Sequence, residues 1–297
     1  MMKTWPALPL ALLASLAPRP CDAGEGAARL VSFEALQQEL GDPGLRILDA
    51  RPKADYDKGH IPGAVRVDAK AVEATTARPD ALTDVAAWEA WIAPLGIRPK
   101  TRVVVYDANR QLDAARLWWL LTYLGVEQVG LLDGNFPLWS AEGRPVSADA
   151  PEVAPEPFRV ALRTDRHATR GEVLAALAAR SAAILDARSD GEYLGSDRRS
   201  QRGGHVPTSC HLEWNNLVDE EGRFLDEATL RAKLVRAGVR GDGPVITHCQ
   251  GGGRASVNAF VLERLGFRTR NYYLGWSDWG NAEETPVQVE ERPDRPE

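Results

Sequence analysis

The 297-residue sequence contains only three cysteines, Cys21, Cys210 and Cys249. They form no CxxC pair and their number is odd, so we expect neither a disulfide framework nor a structural zinc site. The five histidines show no HExxH or similar spacing that would place two metal ligands on one face of a helix. The sequence therefore predicts no metal site and no cofactor.

Clusters of basic residues are also missing. The chain has 36 Lys and Arg against 42 Asp and Glu, which gives a formal net charge of -6, and its pI is near 5.5. Because no run of Lys and Arg is long enough to track a phosphate backbone, we expect no nucleic-acid partner. Hydrophobic residues still make up 44% of the sequence, so the chain can bury one large core or two of ordinary size.

The N-terminal apolar run is too short to span a bilayer. Residues 1–23 begin with one Lys, continue with an apolar run from Trp5 to Ala17, and end in small residues. This pattern is similar to a secretory signal peptide, and cleavage after Ala17 or Ala23 would fit its small-residue preference. We therefore expect a periplasmic or secreted protein without a membrane span. The alternative is a disordered N-terminal extension.

An internal repeat organises the rest of the chain. The motif ILDAR at residues 47–51 returns at 184–188, followed at the same distance by an acidic residue and a Tyr. GHIP at 59–62 then corresponds to GHVP at 204–207, with eight extra residues in the second copy that we expect on a loop. Each copy has about 120 residues, which is the size of a whole domain.

The repeat predicts two tandem domains of one fold. Between the copies lies a Pro-rich segment without helical or strand periodicity, which is typical of a stiff linker. Short apolar runs alternate with amphipathic stretches inside each copy, which favours an α/β fold with a mainly parallel sheet flanked by helices. We expect domains at 29–146 and 167–285, a linker at 147–166 and a C-terminal tail at 286–297.

Cys249 stands where a strand is expected to end. The apolar run Val245 to Thr247 predicts the strand, and in open α/β sheets ligands collect at the carboxyl ends of strands. Three glycines in a row allow a tight curl that aims several amides at one spot, where they would stabilise an anionic sulfur. We therefore predict that Cys249 is a nucleophile and not a buried structural thiol. Its predicted active-site loop consists of Gln250, Gly251, Gly252, Gly253 and Arg254.

These motifs together resemble the tandem rhodanese family: LDAR with an acidic residue and Tyr, then GHIPGA, then a strand leading to Cys and a glycine-rich loop. The resemblance covers nearly the whole mature chain and implies two rhodanese-like domains, of which only the second carries the nucleophile. The aligned position in the first copy is Asp107, which cannot accept sulfur, so the first domain would be an inactive partner. Asp49, Arg51 and His60 match the structural signature of the family.

The resemblance also implies a two-step sulfur transfer. The thiolate of Cys249 would take a sulfane sulfur from a small anionic donor as a persulfide, and pass it to cyanide or a thiol acceptor. Arg188 matches a family position associated with donor binding and Arg254 closes the loop, so both are candidate substrate-binding residues. Arg188 is equally suited to a structural pair with Asp186 or Glu192. The sequence indicates no oligomeric state.

Three alternatives stay open. Thiosulfate is the favoured donor because Arg254 adds charge that suits a dianion, but QGGGR matches neither the thiosulfate nor the 3-mercaptopyruvate loops of the family, so 3-mercaptopyruvate is the second candidate. The HC motif ending in Arg also resembles cysteine phosphatases. Four residues separate Cys249 from Arg254, one fewer than in that pattern, and the tighter loop favours a single sulfur atom. A non-catalytic periplasmic sulfur carrier is the third possibility.

Overall fold

The structure, a computed structural model, describes residues 28–241 and 243–289. The expected signal peptide at 1–23 and most of the expected C-terminal tail lie outside these ranges. The described residues form two α/β units in succession, and each is built on a fully parallel sheet. The predicted α/β fold with mainly parallel sheets flanked by helices is confirmed.

The first unit contains five strands and six helices. Its sheet has the order β1-β5-β4-β2-β3, with the apolar strand β4 at the centre. The strands β1 to β5 are Arg29–Val31, Leu45–Asp49, Ala64–Arg66, Arg102–Tyr106 and Val129–Leu132. The helices α1 to α6 are Phe33–Gln38, Lys53–Tyr56, Ala69–Thr76, Val85–Ile92, Leu112–Tyr123 and Phe136–Ala141. Short 3-10 helices cover Ala81–Thr83 and Ala93–Leu95.

The second unit repeats this arrangement with four strands and five helices. Its sheet has the order β7-β6-β8-β9, and β8, the strand that precedes Cys249, lies inside the sheet. The strands β6 to β9 are Ala183–Asp186, Cys210–His211, Val245–His248 and Thr269–Tyr272. The helices α7 to α11 are Arg170–Ala179, Asp190–Leu194, Glu227–Arg236, Gly253–Arg264 and Gly275–Trp279. Short 3-10 helices cover Thr164–Arg166 and Trp214–Leu217.

The two copies differ in two places. In the first unit β1 pairs with β5 over three residues, whereas the second unit has only an isolated bridge between His167 and Asn271 at the corresponding edge. The eight extra residues of the second copy fall between α8 and β7, in a stretch without helix or strand, as expected for a loop. The repeat therefore preserves the central strands and varies the edge and one connection.

The Pro-rich segment between the units lies along the first unit. Residues 148–163 form no helix or strand. Ser147 pairs with His60, Glu156 donates its N–H to the Ala93 carbonyl at 3.0 Å, and Arg163 donates to the Tyr123 carbonyl at 2.8 Å. These backbone hydrogen bonds fix the segment on the surface that it crosses, so it is an ordered strap.

The two units pack through α5 and α10. Nine of the twelve residues of α5 are buried, and so are nine of the twelve in α10. Trp118 meets Phe260 edge to face with 5.0 Å between ring centroids, and Trp119 stacks on Tyr273 at 4.6 Å. Helices with so many buried residues are stable only when neighbouring elements cover them on most sides. The pairing of α5 with α10 therefore joins the units into one core.

His167, at the start of the second unit, should make stability depend on pH. Its ring lies 6.3 Å from Trp119 and 6.0 Å from Tyr123 between centroids, and burial lowers its pKa from 6.5 to about 4. Because the unfolded chain binds a proton near pH 6.5 and the folded chain does so only near pH 4, the contribution of His167 is complete above pH 6.5 and is lost as the pH falls to 4. The total is on the order of 2 to 3 kcal/mol.

Urea unfolding of the wild type and of His167→Gln across this pH range measures the effect. We expect the free energy of unfolding of the variant to fall less steeply between pH 6.5 and 4 than that of the wild type. Parallel curves would contradict the assignment.

Candidate active site

Cys249 directly follows β8, at the carboxyl edge of the second sheet. The residue is 1% exposed. Its carbonyl accepts the N–H of Trp276 at 2.7 Å, at the start of α11. A Cβ on Gly275 would overlap that carbonyl oxygen, and the backbone of Gly275 has a φ of +53°. Glycine at 275 therefore allows α11 to approach the backbone of Cys249 and hold it.

Two of the three loop glycines lie in close contacts. Gly252 has a φ of +80°, and a Cβ there would lie 2.5 Å from the ring of Tyr273. A Cβ on Gly253 would overlap the guanidinium of Arg116, which reaches across from the first domain. Gly251 is different, because a Cβ there would meet no atom within 4 Å. The loop thus curls tightly between an aromatic ring and a cation.

A cleft of about 400 Å³ opens beside Cys249, and both domains line it. The second domain contributes Arg199, Cys249, Gln250, Gly251, Gly253, Arg254, Tyr273, Leu274 and Ser277. The first domain contributes Glu73, Thr76, Ala77, Leu112 and Arg116. A larger groove of about 800 Å³ lies beside Pro244 and Arg268, at the amino ends of β8 and β9. Because Cys249 does not line that groove, the smaller cleft is the candidate site.

Arg254 lines the cleft, as expected, but its charge is shared with a buried carboxylate. Its Nη1 and Nη2 donate to the two carboxylate oxygens of Glu192 at 2.5 and 2.8 Å. Burial opposes ionisation of Glu192, yet the hydrogen bonds and charge of Arg254 outweigh it and lower the pKa of Glu192 to about 2. Glu192 is fixed in turn by a capping box with Ser189 at the start of α8. The pair therefore stays ionised at neutral pH.

Arg188 does not line the cleft. It is 1% exposed, and its Nε lies 3.0 Å from both carboxylate oxygens of Asp186. Its Nη2 donates to Asp186 at 2.6 Å and to the Gly204 carbonyl at 2.8 Å, and the guanidinium lies 4.3 Å from the Trp276 ring centroid. One face of the guanidinium is thus covered, and its Nε and Nη2 are in hydrogen bonds.

The first domain shows what this arrangement is for. Arg51 donates from Nε to both oxygens of Asp49 at 3.0 Å, and from Nη2 to Asp49 at 2.6 Å and to the Gly59 carbonyl at 2.7 Å. The same bonds are therefore made in the domain that has Asp107 in place of Cys249. Of the two roles weighed for Arg188, the structural pair with Asp186 forms in this structure, and a role in substrate binding stays a prediction.

Asp107 occupies in the first domain the place that Cys249 has in the second, directly after the central strand. Its buried carboxylate accepts backbone hydrogen bonds of 3.0 to 3.1 Å from Asn109, Gln111, Asp113 and Ala114. Burial nevertheless raises the pKa of Asp107 to about 6. The converging amides of this loop form an anion nest that the side chain itself fills.

Arg116 is the site residue that the sequence analysis missed. It projects from α5, is 4% exposed, and donates from Nη1 to the Gly251 carbonyl at 3.2 Å and from Nη2 to Glu73 at 2.7 Å. A signal was present, since Arg116 is the single cation in the mostly apolar stretch LDAARLWWLLTY. What the sequence did not reveal is that α5 packs against the loop of the other domain.

Residues 28–241 and 243–289 contain no group of three or more His, Cys, Asp and Glu side chains arranged to hold a metal ion. Among the helices described, none is both long enough and apolar enough to cross a membrane.

Comparison with known proteins gives a consistent result. Residues 32–142 and 169–282 match the family model of the rhodanese-like domain. The thiosulfate sulfurtransferases of Azotobacter vinelandii and Pseudomonas aeruginosa are 33% and 34% identical to this chain over 256 residues, which cover 86% of this chain and 94% of each relative.

The relatives also include enzymes named for another donor. The 3-mercaptopyruvate sulfurtransferase of Escherichia coli K12 is 30% identical over 273 residues, covering 87% of this chain and 97% of the relative. The crystal structure of SseA from Escherichia coli, a 3-mercaptopyruvate sulfotransferase, superposes with a TM-score of 0.73 at 27% identity, covering 84% of this chain and 99% of that one.

The different surroundings of Gly251 and Gly252 give a matched pair of variants. Gly252→Ala places a side chain on left-handed backbone and against Tyr273, so we expect it to cost about 2 kcal/mol or more and to change the rate at which iodoacetamide alkylates Cys249. Gly251→Ala meets open space and should cost less than about 1 kcal/mol. Thermal unfolding and peptide mapping of the alkylated protein measure both quantities. Equal behaviour of the two variants would contradict the geometry of the loop.

Proposed function

The chain belongs to the rhodanese-like family and is a sulfurtransferase, and we propose that it moves a sulfane sulfur from an anionic donor to cyanide or a thiol through a persulfide on Cys249. The observation that carries the proposal is the position of this thiol. Cys249 ends a central strand, begins a glycine-rich turn and lines a cleft between the two domains. The corresponding turn in the first domain holds a carboxylate with four backbone amides, which supports an anion-stabilising role for the loop.

The reaction needs no cofactor. The thiolate of Cys249 attacks the outer sulfur of thiosulfate, a Cys249 sulfur–sulfur bond forms, and the sulfur–sulfur bond of the donor breaks as sulfite leaves with the electron pair. Cyanide then attacks the terminal sulfur of the persulfide, thiocyanate leaves, and the thiolate is restored. Amides of the loop are suited to stabilise the charge on the persulfide in both steps.

We propose thiosulfate as the preferred donor and 3-mercaptopyruvate as the alternative. Relatives named thiosulfate sulfurtransferases are 33% and 34% identical to the chain, and the relative named for 3-mercaptopyruvate is 30% identical. Each donor carries an anionic group near the sulfur that is transferred, which suits a cleft lined by Arg116 and Arg254.

A phosphatase-like reaction has less support. Phosphate capture at such a loop would use a guanidinium that is free to bind two phosphate oxygens. In this chain both terminal nitrogens of Arg254 donate to Glu192. A phosphate ester is therefore the control substrate, on which we expect no turnover.

Mass spectrometry tests the persulfide directly. After incubation with thiosulfate, the peptide containing Cys249 should gain one sulfur, about 32 Da, and cyanide should remove it as thiocyanate. Cys249→Ser should lose both the mass gain and the activity. Cys210→Ser is the matched control, because burial raises the pKa of the Cys210 thiol and it does not line the cleft. If neither thiosulfate nor 3-mercaptopyruvate adds sulfur to the wild type, the proposal is wrong.

We also propose that residues 1–23 direct export, on the evidence of their sequence pattern. After expression of the full chain in a bacterium, the protein in the periplasmic fraction should begin at Pro18 or Gly24. N-terminal sequencing measures this start. An intact Met1 on soluble protein in the cytoplasmic fraction would refute the proposal.

A further inference from the structure

A buried cation from the non-catalytic domain lies at the catalytic loop. Arg116 lines the same cleft as Cys249, and its guanidinium lies against Gly253, the first residue of α10. The amino end of a helix carries a partial positive charge from its unpaired N–H groups. The guanidinium of Arg116 and the amino end of α10 therefore place positive charge at one point beside the cleft. A bound anion would stabilise this arrangement.

The partners of Arg116 neutralise its charge only in part. Nη2 lies 2.7 Å from Glu73, whose side chain is 59% exposed, so water and salt screen this carboxylate. Nη1 donates to the carbonyl of Gly251, which has no formal charge. The Nε–H is buried and has no hydrogen-bond partner in the described part of the chain.

The other two arginines that line the cleft in the described residues differ in this respect. Arg254 is bound through both terminal nitrogens to Glu192, whose side chain is 1% exposed. Arg199 is 54% exposed and lies 3.5 Å from the same Glu192. Arg116 thus combines a buried guanidinium with a counter-charge that faces solvent. Burial lowers the pKa of Arg116, but Tyr273, Glu73 and Cys249 together outweigh it and raise the pKa, so the group stays charged.

We propose that Arg116 binds the anionic group of the sulfur donor, the sulfonate of thiosulfate or the carboxylate of a mercapto acid, and so determines donor specificity from the first domain. This rests on the proposed function, because it assigns the charged end of the donor within the cleft of Cys249. Since Coulomb attraction scales with charge, a dianionic donor gains more from Arg116 than a monoanionic one. A thiol such as dithiothreitol carries no sulfonate or carboxylate, so its thiolate can discharge the persulfide without the anionic group that Arg116 is proposed to bind.

Two substitutions with opposite expected effects, one at each residue of the Arg116–Glu73 ion pair, provide the test. Arg116→Gln removes the charge and should raise KM for thiosulfate about tenfold or more, while the single-turnover rate at which dithiothreitol discharges the persulfide changes less than about twofold. Glu73→Gln keeps the guanidinium, removes its carboxylate and should lower KM for thiosulfate about two- to fivefold. If Arg116 had only a structural role, both substitutions would leave KM for thiosulfate unchanged, or they would change only the stability of the protein.

A second comparison uses donor charge. Methanethiosulfonate carries one negative charge beside the same kind of sulfur–sulfur bond. The loss of kcat/KM caused by Arg116→Gln should be several-fold larger for thiosulfate than for methanethiosulfonate. Equal losses would overturn the assignment, since a distorted loop would impair both donors alike.

Arg110→Gln is the matched control. Arg110 also reaches from the first domain to backbone carbonyls of the second, at Asn215 and Val218, but it does not line the cleft. Its substitution should leave KM for thiosulfate unchanged. If Arg116→Gln does not fold, Glu73→Gln decides, because its exposed side chain can be replaced without disturbing the core; an unchanged or raised KM would then refute the proposal. Failure of the wild type to form any persulfide would refute the proposed function instead.

Discussion

The packing of α5 against α10 is the contact on which the site depends. Both helices are buried on nearly all sides, so either domain alone would expose a buried helix face to water. Trp118 against Phe260 fixes the distance between the helices, and Trp119 against Tyr273 adds a second contact between the domains. That distance brings Arg116 to the start of α10 and leaves an open cleft beside Cys249. The loop that follows Cys249 is therefore completed by the domain that has Asp107 in place of this cysteine.

The two equivalent loops show how one fold supports an open site and a closed one. In the second domain Gly252 takes a φ of +80°, which costs glycine little. In the first domain Arg110 and Gln111 take φ values of +52° and +72°, which are unfavourable for residues with a side chain. Their side chains offset this cost by donating to carbonyls of the second domain, including Gly222 at 2.7 Å from Gln111. The Asp107 carboxylate occupies the anion nest of this loop, and the side chains of Arg110 and Gln111 link the two domains.

The sequence was sufficient to predict the repeat, the parallel α/β fold and the position of Cys249 after a strand, because these depend on local patterns of apolar residues and glycine. It was insufficient for Arg116 and Arg188. The partners of Arg116 lie in another domain, at a sequence distance that no local pattern spans. For Arg188 the sequence left two roles open, although the repeat offered a comparison: Arg51 stands at the same position in the copy that has Asp107 in place of Cys249.

The duplication thus acts as an internal control for assigning roles. A residue that keeps its contacts in both copies, as Arg51 and Arg188 do, belongs to the scaffold. A position whose contacts change between copies belongs to what the copies do differently. Asp55 is half exposed and pairs with Lys58 at 3.1 Å, whereas its counterpart Glu192 is buried against Arg254. By this criterion the charge balance beside Cys249 is a property of the second site alone: Glu192 pairs there with Arg254 and lies near Arg199, and Arg116 adds a buried positive charge from the first domain.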